Sequence, residues 1–532
     1  MDTVDICIIG SGFGGAISAA RLSAYSTANG LGARIRVLER GHDFFDFDPN
    51  TTWTYRNAQG NGFKQTQDPD YYSRMFNVYA DPAGTCTMMG GNGIGGSSLV
   101  YYAVKLRAPA ETFEQTEATE GNRRLWPSLY SRTRLNPYYA RLEQAFKVSR
   151  MAWSTSEGVP AWQLCTKRDH VFAQGCLKIG ATAEPLKIAL QNDTNEGWWS
   201  AGQRFPGRQH LPLNYLRTAK NNGVEFHADC EVQTIAPDGG GYAVSYYDAR
   251  SGKTETLSCR IVILAAGAVG STGILLRSRD EFTGARELSE RLGRHVSSNG
   301  DYGLSGIVGK QYKVEGYKGK PMSSVCPSFW KDHKFLIIPL FLPPMPMGVG
   351  QPAAFAFPKN PAAAGRRTTE PATPQWGQAY KDMLASFGPR VLSMGVIALD
   401  KCEGNISLIP GLGRPRVEWP TTHPETEARW NQAFRAMRSI YNALDGEVLT
   451  DQYRHRGTVI SVHPLGGCRM APNKSLGVVN GYGEVFDNRN LFVMDGAIVP
   501  AAIGVNPSLT ISAVAEVASE ALASQLRSRL GR

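Results

Sequence analysis

Val4-Asp5-Ile6-Cys7-Ile8-Ile9-Gly10-Ser11-Gly12-Phe13-Gly14-Gly15 opens the chain, and Ala16-Ile17-Ser18-Ala19-Ala20-Arg21-Leu22 follows it directly. The short apolar run reads as a buried strand, the glycines as a tight turn, and the last seven residues as a helix. Each glycine has a separate task. Gly10 permits the turn, Gly12 lets a pyrophosphate approach the backbone, and Gly15 lets helix and strand pack closely. The helix N-terminus, with Phe13 and Gly14 in its first turn, then faces the phosphates, where unpaired N–H groups and the helix dipole favour negative charge.

Arg34-Ile35-Arg36-Val37-Leu38-Glu39 completes this pattern as a second strand. Its terminal carboxylate falls where such folds hold a ribose 2′-hydroxyl, so Glu39 favours FAD or NAD over NADP. The plainer reading is an exposed strand-end acid beside Arg40. A second cluster, Gly90-Gly91-Asn92-Gly93-Ile94-Gly95-Gly96-Ser97-Ser98-Leu99-Val100, is too glycine-dense for a regular element and runs into Tyr101-Tyr102-Ala103-Val104. A flat ring or a phosphate could lie against Gly91, Asn92, Gly93, Gly95, Gly96 and Ser97; a flexible surface loop would be more polar.

A third segment, Arg260 to Thr272, is a buried-strand run ending in Ala265-Ala266-Gly267-Ala268, and it returns the chain to the first sheet. Glu225-Phe226-His227, Glu231-Val232-Gln233-Thr234-Ile235 and Tyr242 to Tyr246, with Gly239-Gly240-Gly241 as a turn, predict a β-meander inserted into the nucleotide-binding fold.

Near the C-terminus stand His463-Pro464-Leu465-Gly466-Gly467-Cys468 and Gly504-Val505-Asn506-Pro507. An imidazole can take the proton from an alcohol, and a neutral amide can hold the alcohol oxygen without competing for that proton. His463 and Asn506 are therefore the catalytic candidates, against the alternative of two hydrogen-bonded turn residues. Cys468 lies close enough in sequence to His463 to merit a mutation.

Taken together, these strings resemble the glucose-methanol-choline family of FAD-dependent oxidoreductases, and within it the cholesterol oxidase branch with noncovalent flavin. The resemblance runs nearly end to end. It implies an α/β fold: a Rossmann-like FAD-binding domain with an interleaved α+β substrate domain. It places His463 and Asn506 against the flavin, and Asp495-Gly496 at its ribityl and pyrophosphate region. Ala266 and Gly267 are implied as further contacts, and the Val232 backbone would meet the adenine. Pro507 and Ser508 would start the last helix, whose positive end could stabilise reduced flavin. Steroid oxidases of this branch carry a Glu ahead of an Ala-Pro-Met-Pro-like stretch, where it moves a ring proton during isomerisation. The matching stretch here is Leu340-Phe341-Leu342-Pro343-Pro344-Met345-Pro346, and a phenyl ring at Phe341 cannot transfer a proton. Tyr101, Phe341 and His463 are the expected substrate pocket.

The implied function is oxidation of an alcohol on a bulky, apolar, sterol-like substrate to a carbonyl, without isomerisation, with oxygen or another acceptor reoxidising the flavin. Two rivals keep the flavin: a lyase in which FAD is structural, and a flavoprotein that binds an apolar ligand without chemistry. The cofactor strings fall in blocks 1–45, 80–115, 210–300 and 455–532, which predicts a discontinuous FAD domain; 46–79, 116–209 and 301–454 would build the substrate domain. These intervening segments are rich in aromatics such as Trp126, Trp153, Trp162, Trp198, Trp199 and Trp330, most of them core. Pro343 to Pro358 and Pro361 to Pro374 read as loops, either a substrate lid or ordered surface.

At 532 residues the chain exceeds one compact core. Its apolar runs are broken by Pro, Gly and Ser and are too short to span a bilayer. Nine scattered cysteines without a Cys-x-x-Cys pair argue against a metal site or disulfide framework. A net charge of +10 serves solubility, transient contact with an anionic membrane surface, or nucleic acid, the last disfavoured because no basic run interleaves with aromatics. The first strand begins within four residues, so no signal peptide is expected; the chain reads as cytoplasmic, although a mature secreted form would look the same. The number of subunits is not legible.

Overall fold

The computed structural model describes residues 2–44, 76–150, 155–156, 159–160, 165–190, 208–341, 377–420, 422–451 and 458–532. Its central sheet runs Glu225–His227, Ile35–Leu38, Asp2–Ile9, Lys253–Leu264 and Leu491–Val493, all neighbours parallel. Ile6 pairs with Ile35 on one side and Ile261 on the other, and Ile8 with Val37 and Ile263. These side chains have no more than 2 % exposure, as in parallel sheets covered on both faces. Each contributes roughly 1.5–3 kcal/mol on burial.

The helix Phe13–Ala28 follows the first strand and packs along the C-terminal helix Ser508–Ser524. Close approach is what the glycines serve. A Cβ on Gly14 would stand 1.7 Å from the Met494 carbonyl oxygen, and one on Gly15 would stand 2.0 Å from that of Gly10. The family-type turn is thus also a packing device between strand, helix and the last block of the chain.

Two readings change. Glu225–His227 is no part of the meander: after the short helix Tyr215–Asn221 it enters parallel to Ile35–Leu38, extending the sheet edge. The meander is Cys230–Asp238, Gly241–Asp248 and Lys253–Leu264, whose long third strand bends from antiparallel pairing into the parallel core. Gly90 and Gly91 are not loop either. They end the strand Cys86–Gly91, which pairs with Phe76–Ala80 and, in parallel, with Val459–Ser461.

A second, antiparallel sheet is built from Phe335–Leu340, Val391–Ala398, Tyr302–Ile307 and Glu447–Asp451. The helix Pro424–Ala443 packs on it and on Lys167–Lys178. Trp126 is core, edge-on to Phe113 and Tyr130. Trp153, Trp162, Trp198, Trp199 and both Pro-rich stretches lie outside the described residues. No described helix is long and apolar enough to cross a membrane.

One buried carboxylate ties four helices together. Glu516 accepts from Arg21 Nε and Nη2 at 2.7 and 2.8 Å, from Tyr215 Oη at 2.8 Å and from Arg141 Nη1 at 3.3 Å. Its side chain is fully buried, whereas that of Arg21 is about a third exposed. Removing one partner of a buried ion pair costs about 3–5 kcal/mol, and the exposure of Arg21 selects the lower end. Glu516→Ala is expected to lose about 3 kcal/mol in urea unfolding; a loss under 1 kcal/mol would show that this cluster does not hold the helices.

Candidate active site

Three of the four separated cofactor blocks converge at the carboxyl edge of the central sheet. Ile9, Leu38, Leu264 and Val493 are neighbouring C-terminal strand ends, and they lead into Gly10, Glu39, Ala265 and Met494. Ligands of open α/β sheets bind outside that edge. Ser11, which sequence reading passed over, joins two blocks: its Oγ donates to Glu39 Oε2 at 2.7 Å and accepts from Gly95 N at 3.0 Å. Glu39 also accepts from Ser11 N at 2.9 Å and Gly41 N at 3.0 Å, leaving part of its acceptor capacity for a ribose hydroxyl. Gly91 N–H rests on Ser97 Oγ at 2.8 Å, and Asn92 is buried beside Arg40 and Asn77.

Asp495 joins the other two blocks. It accepts from Gly267 N at 2.8 Å, Ser271 Oγ at 2.5 Å and Ala497 N at 2.8 Å. Burial outweighs these bonds and pushes its carboxyl up to about 6. Ala266 N–H is held by Ser271 Oγ at 2.9 Å, and Gly496 O accepts from Gly466 N at 2.9 Å, tying Asp495-Gly496 to the His463 turn.

A dinucleotide fits this edge. Gly12 has an ordinary φ of −67°, and a Cβ there would meet nothing in the protein nearer than Ala265 O at 4.0 Å; one on Gly267 would meet nothing within 4 Å. Nothing in the protein's own packing fills that space, as expected where a ligand approaches the backbone.

The catalytic candidates do meet. Asn506 Nδ2 donates to His463 Nε2 at 3.2 Å, and His463 Nδ1 lies 2.8 Å from Asp301 Oδ1. An amide nitrogen only donates, so Nε2 must be the bare ring nitrogen and Nδ1 must carry the proton, which the Asp301 carboxylate accepts. Both contacts require one tautomer. Asn506 Oδ1 is buried without a partner, an acceptor available to a bound molecule. Asp301 escaped sequence reading, as did what holds it. Ser461 Oγ and Val462 N donate to Asp301 Oδ2 at 2.8 and 3.1 Å, and His463 N to Ser461 Oγ at 2.9 Å. Asn299, fully buried, accepts from Ile503 N and Gly504 N at 2.8 and 3.0 Å and donates to Val505 O at 2.8 Å, setting the Asn506 loop. Trp330 packs beneath the same loop, since a Cβ on Gly504 would stand 2.4 Å from its ring.

The other candidates have contacts of their own. Cys468 is buried against Thr272 Oγ1 at 3.4 Å, and burial pushes its thiol up to about 12, so it is not a partner of His463. The Tyr101 hydroxyl is bound to Gln209 O at 2.5 Å, and its ring packs on Phe13 and Lys105. Phe341 is buried just past the strand Phe335–Leu340, its N–H on Pro321 O at 3.1 Å. Val232 O accepts from Arg277 Nη2 at 2.9 Å. A cavity of about 200 Å³ behind Pro500 and Ala501 is lined by His295, Arg429 and Arg469 but not by His463 or Asn506.

Two family models, both described as GMC oxidoreductase, match residues 8–296 and 404–515. The chain belongs to the GMC oxidoreductase family. It is 24 % identical to a cholesterol oxidase of Acinetobacter baumannii over 96 % of this chain and 93 % of that one. It is also 24 % identical to a 2-methyl-1,2-propanediol dehydrogenase of Mycolicibacterium austroafricanum, over 97 % and 94 %. Among solved structures, an FAD-dependent oxidoreductase from Chaetomium thermophilum superposes with TM-score 0.64 at 16 % identity, covering 98 % of this chain and all of that one. The protein is accordingly a GMC-type enzyme acting on alcohols, with the FAD-dependent chemistry of its family.

For such an enzyme the tautomer is the testable geometry. Asp301→Asn can turn an amide N–H toward Nδ1, moving the ring proton to Nε2. In ¹⁵N spectra His463 is expected to show a protonated Nδ1 and bare Nε2 in the wild type and the reverse in the variant; an unchanged ring would sink the assignment of Asp301.

Proposed function

We propose that this GMC oxidoreductase oxidises the hydroxyl of a bulky, apolar, sterol-like alcohol to a carbonyl, without double-bond isomerisation, using noncovalent FAD. The observation that carries the reading is the bare Nε2 of His463 beside Asn506 Nδ2 at 3.2 Å, with Asp301 behind it at 2.8 Å. Residues 1–45, 80–115, 210–300 and 455–532 are assigned to the cofactor domain and the intervening segments to the substrate domain.

Gly10, Gly12, Phe13, Gly14 and Gly15 would hold the cofactor's pyrophosphate, Glu39 the ribose and Val232 the adenine side. Gly91, Asn92, Gly93, Gly95, Gly96 and Ser97, with Ala266, Gly267, Asp495, Gly496, Pro507 and Ser508, would hold the remainder. When bound, the flavin supplies the hydride acceptor at N5. The alcohol's O–H takes the place of the Asn506 N–H on His463 Nε2, and the freed amide N–H holds the alcohol oxygen. His463 then accepts the hydroxyl proton as the carbinol hydride leaves. The imidazolium so formed lies against the Asp301 carboxylate, where an attraction of about 4 kcal/mol at 4 Å applies in a partly buried setting. Neither Pro464 nor the glycines after it offer a competing acid, so proton transfer runs through one atom.

The apolar substrate is supported by what replaces a proton donor. Phe341 stands where steroid-isomerising relatives of this resemblance have a carboxylate, and with Tyr101 and His463 it is assigned to the pocket. Oxygen or another acceptor reoxidises the enzyme.

Anaerobic mixing with a sterol, a long-chain alcohol, an aryl alcohol, a terpenol and a sugar tests this reading. Apolar alcohols are expected to bleach the flavin absorbance, and His463→Ala to slow single-turnover bleaching by ~10²-fold or more. Bleaching by sugars alone would overturn the apolar pocket, and an unchanged rate in His463→Ala would remove the base.

A further inference from the structure

Lys105 is a buried amine that none of the roles above uses. Its side chain is fully buried, and its Nζ donates to Ser508 Oγ at 3.0 Å. The rings of Phe146, Phe13 and Tyr101 surround it at 4.2, 4.5 and 4.9 Å. Ring faces attract a cation but carry no net charge, and cation–π contacts offset only part of the desolvation of a buried ion. Burial drives the pKa of this amine well below the ordinary lysine range, and among the described residues no carboxylate opposes it.

The neighbours locate this amine. Phe13 is the first residue of the helix after Gly12, and Ser508 is the first of the C-terminal helix, two past Asn506. Lys105 therefore lies where the positive ends of two long helices meet, directly behind both the phosphate turn and the catalytic loop. Protein of this kind disfavours a lysine unless an anion arrives.

We propose that Lys105 is a charge-compensating residue for the cofactor: its ammonium, anchored on Ser508, balances the negative charge that a bound flavin gains on accepting a hydride. A hydride is one proton and two electrons, so a neutral isoalloxazine that accepts it gains one negative charge. The hydroxyl proton goes to His463, and the carbinol carbon is oxidised to the carbonyl. Lys105 transfers nothing. It stabilises the reduced over the oxidised state, which raises the reduction potential. The inference rests on the flavin-dependent oxidation proposed above. The dinucleotide's other negative charge, its pyrophosphate, is the same before and after reduction; pairing with it would raise affinity and leave the potential unmoved.

The test uses the purified holoprotein: FAD content, FAD dissociation constant and two-electron reduction potential for the wild type, Lys105→Met and Ser508→Ala. Lys105→Met is expected to lower the equilibrium constant for reduction by tenfold or more, about 30 mV. Ser508→Ala, which frees the ammonium from its anchor, should shift it the same way by less. An unchanged potential in Lys105→Met that still holds FAD overturns the proposal, and a weakened FAD affinity beside that unchanged potential reassigns the lysine to the pyrophosphate. Should Lys105→Met not fold, an unchanged potential in Ser508→Ala overturns it instead. A wild-type protein that takes up no FAD fails earlier, and sinks the flavin reading itself.

Discussion

Asp400 accepts hydrogen bonds from Ser297 Oγ, Ser298 N and Oγ, and Gly300 N, at 2.6 to 3.0 Å, and so holds the backbone of Ser297–Asp301 in one shape. Everything at the redox end of the molecule hangs from that short run. Its Asn299 fixes the loop of Asn506, its Asp301 fixes the ring of His463, and Ser297 pairs its backbone with Leu465 in both directions. The arrangement has a cost. Asp400 is fully buried, and burial raises its pKa despite the donors around it; Asn299 sits at φ +58°, a conformation worth about 1–3 kcal/mol of strain for a side-chain-bearing residue. Charge-assisted hydrogen bonds at roughly 1.5–3 kcal/mol each offset these terms. A device of that expense, held against two catalytic candidates 43 residues apart, fits a site whose geometry must not drift.

The run also joins the two sheets. Tyr302 begins a strand of the antiparallel sheet immediately after Asp301, while Leu465 leads through Gly466 to Gly496, at the carboxyl end of the parallel sheet. Asp301 thus touches both the His463 turn and the start of the second sheet.

Legibility in the sequence followed locality. The phosphate turn was readable because its glycines answer constraints imposed within a few residues: Gly14 and Gly15 each face a backbone oxygen at about 2 Å from a would-be Cβ. Glu39 was readable from its position at the end of a strand, and Asp495-Gly496 only through the family resemblance. Asp301, Asn299 and Asp400 were not, because their partners are 100 to 206 residues away and each looks like an ordinary polar loop residue. Ser11 was hidden between two informative glycines. The meander was misjoined at Glu225–His227 because a three-residue strand carries no sign of whether its neighbour runs parallel or antiparallel. Lys105 reads as one more surface cation until burial and three ring faces are seen.

The two charged residues that escaped notice divide one problem. Removing a hydride and a proton from an alcohol creates a positive charge at the base and a negative charge at the acceptor, and a dry site penalises both. On the roles proposed above, Asp301, just before an inner strand of the second sheet, would meet the first, and Lys105, in the segment that follows the glycine loop, would meet the second. Because they belong to different parts of the chain, the two compensations are separable. Changes around Asp301 would then alter how readily the alcohol is deprotonated, and changes around Lys105 how strongly electrons are held. A fold so divided can change its substrate through the pocket beside His463 while keeping the potential of its cofactor, which gives a physical basis for a family whose members oxidise alcohols as unlike as a sterol and a small diol.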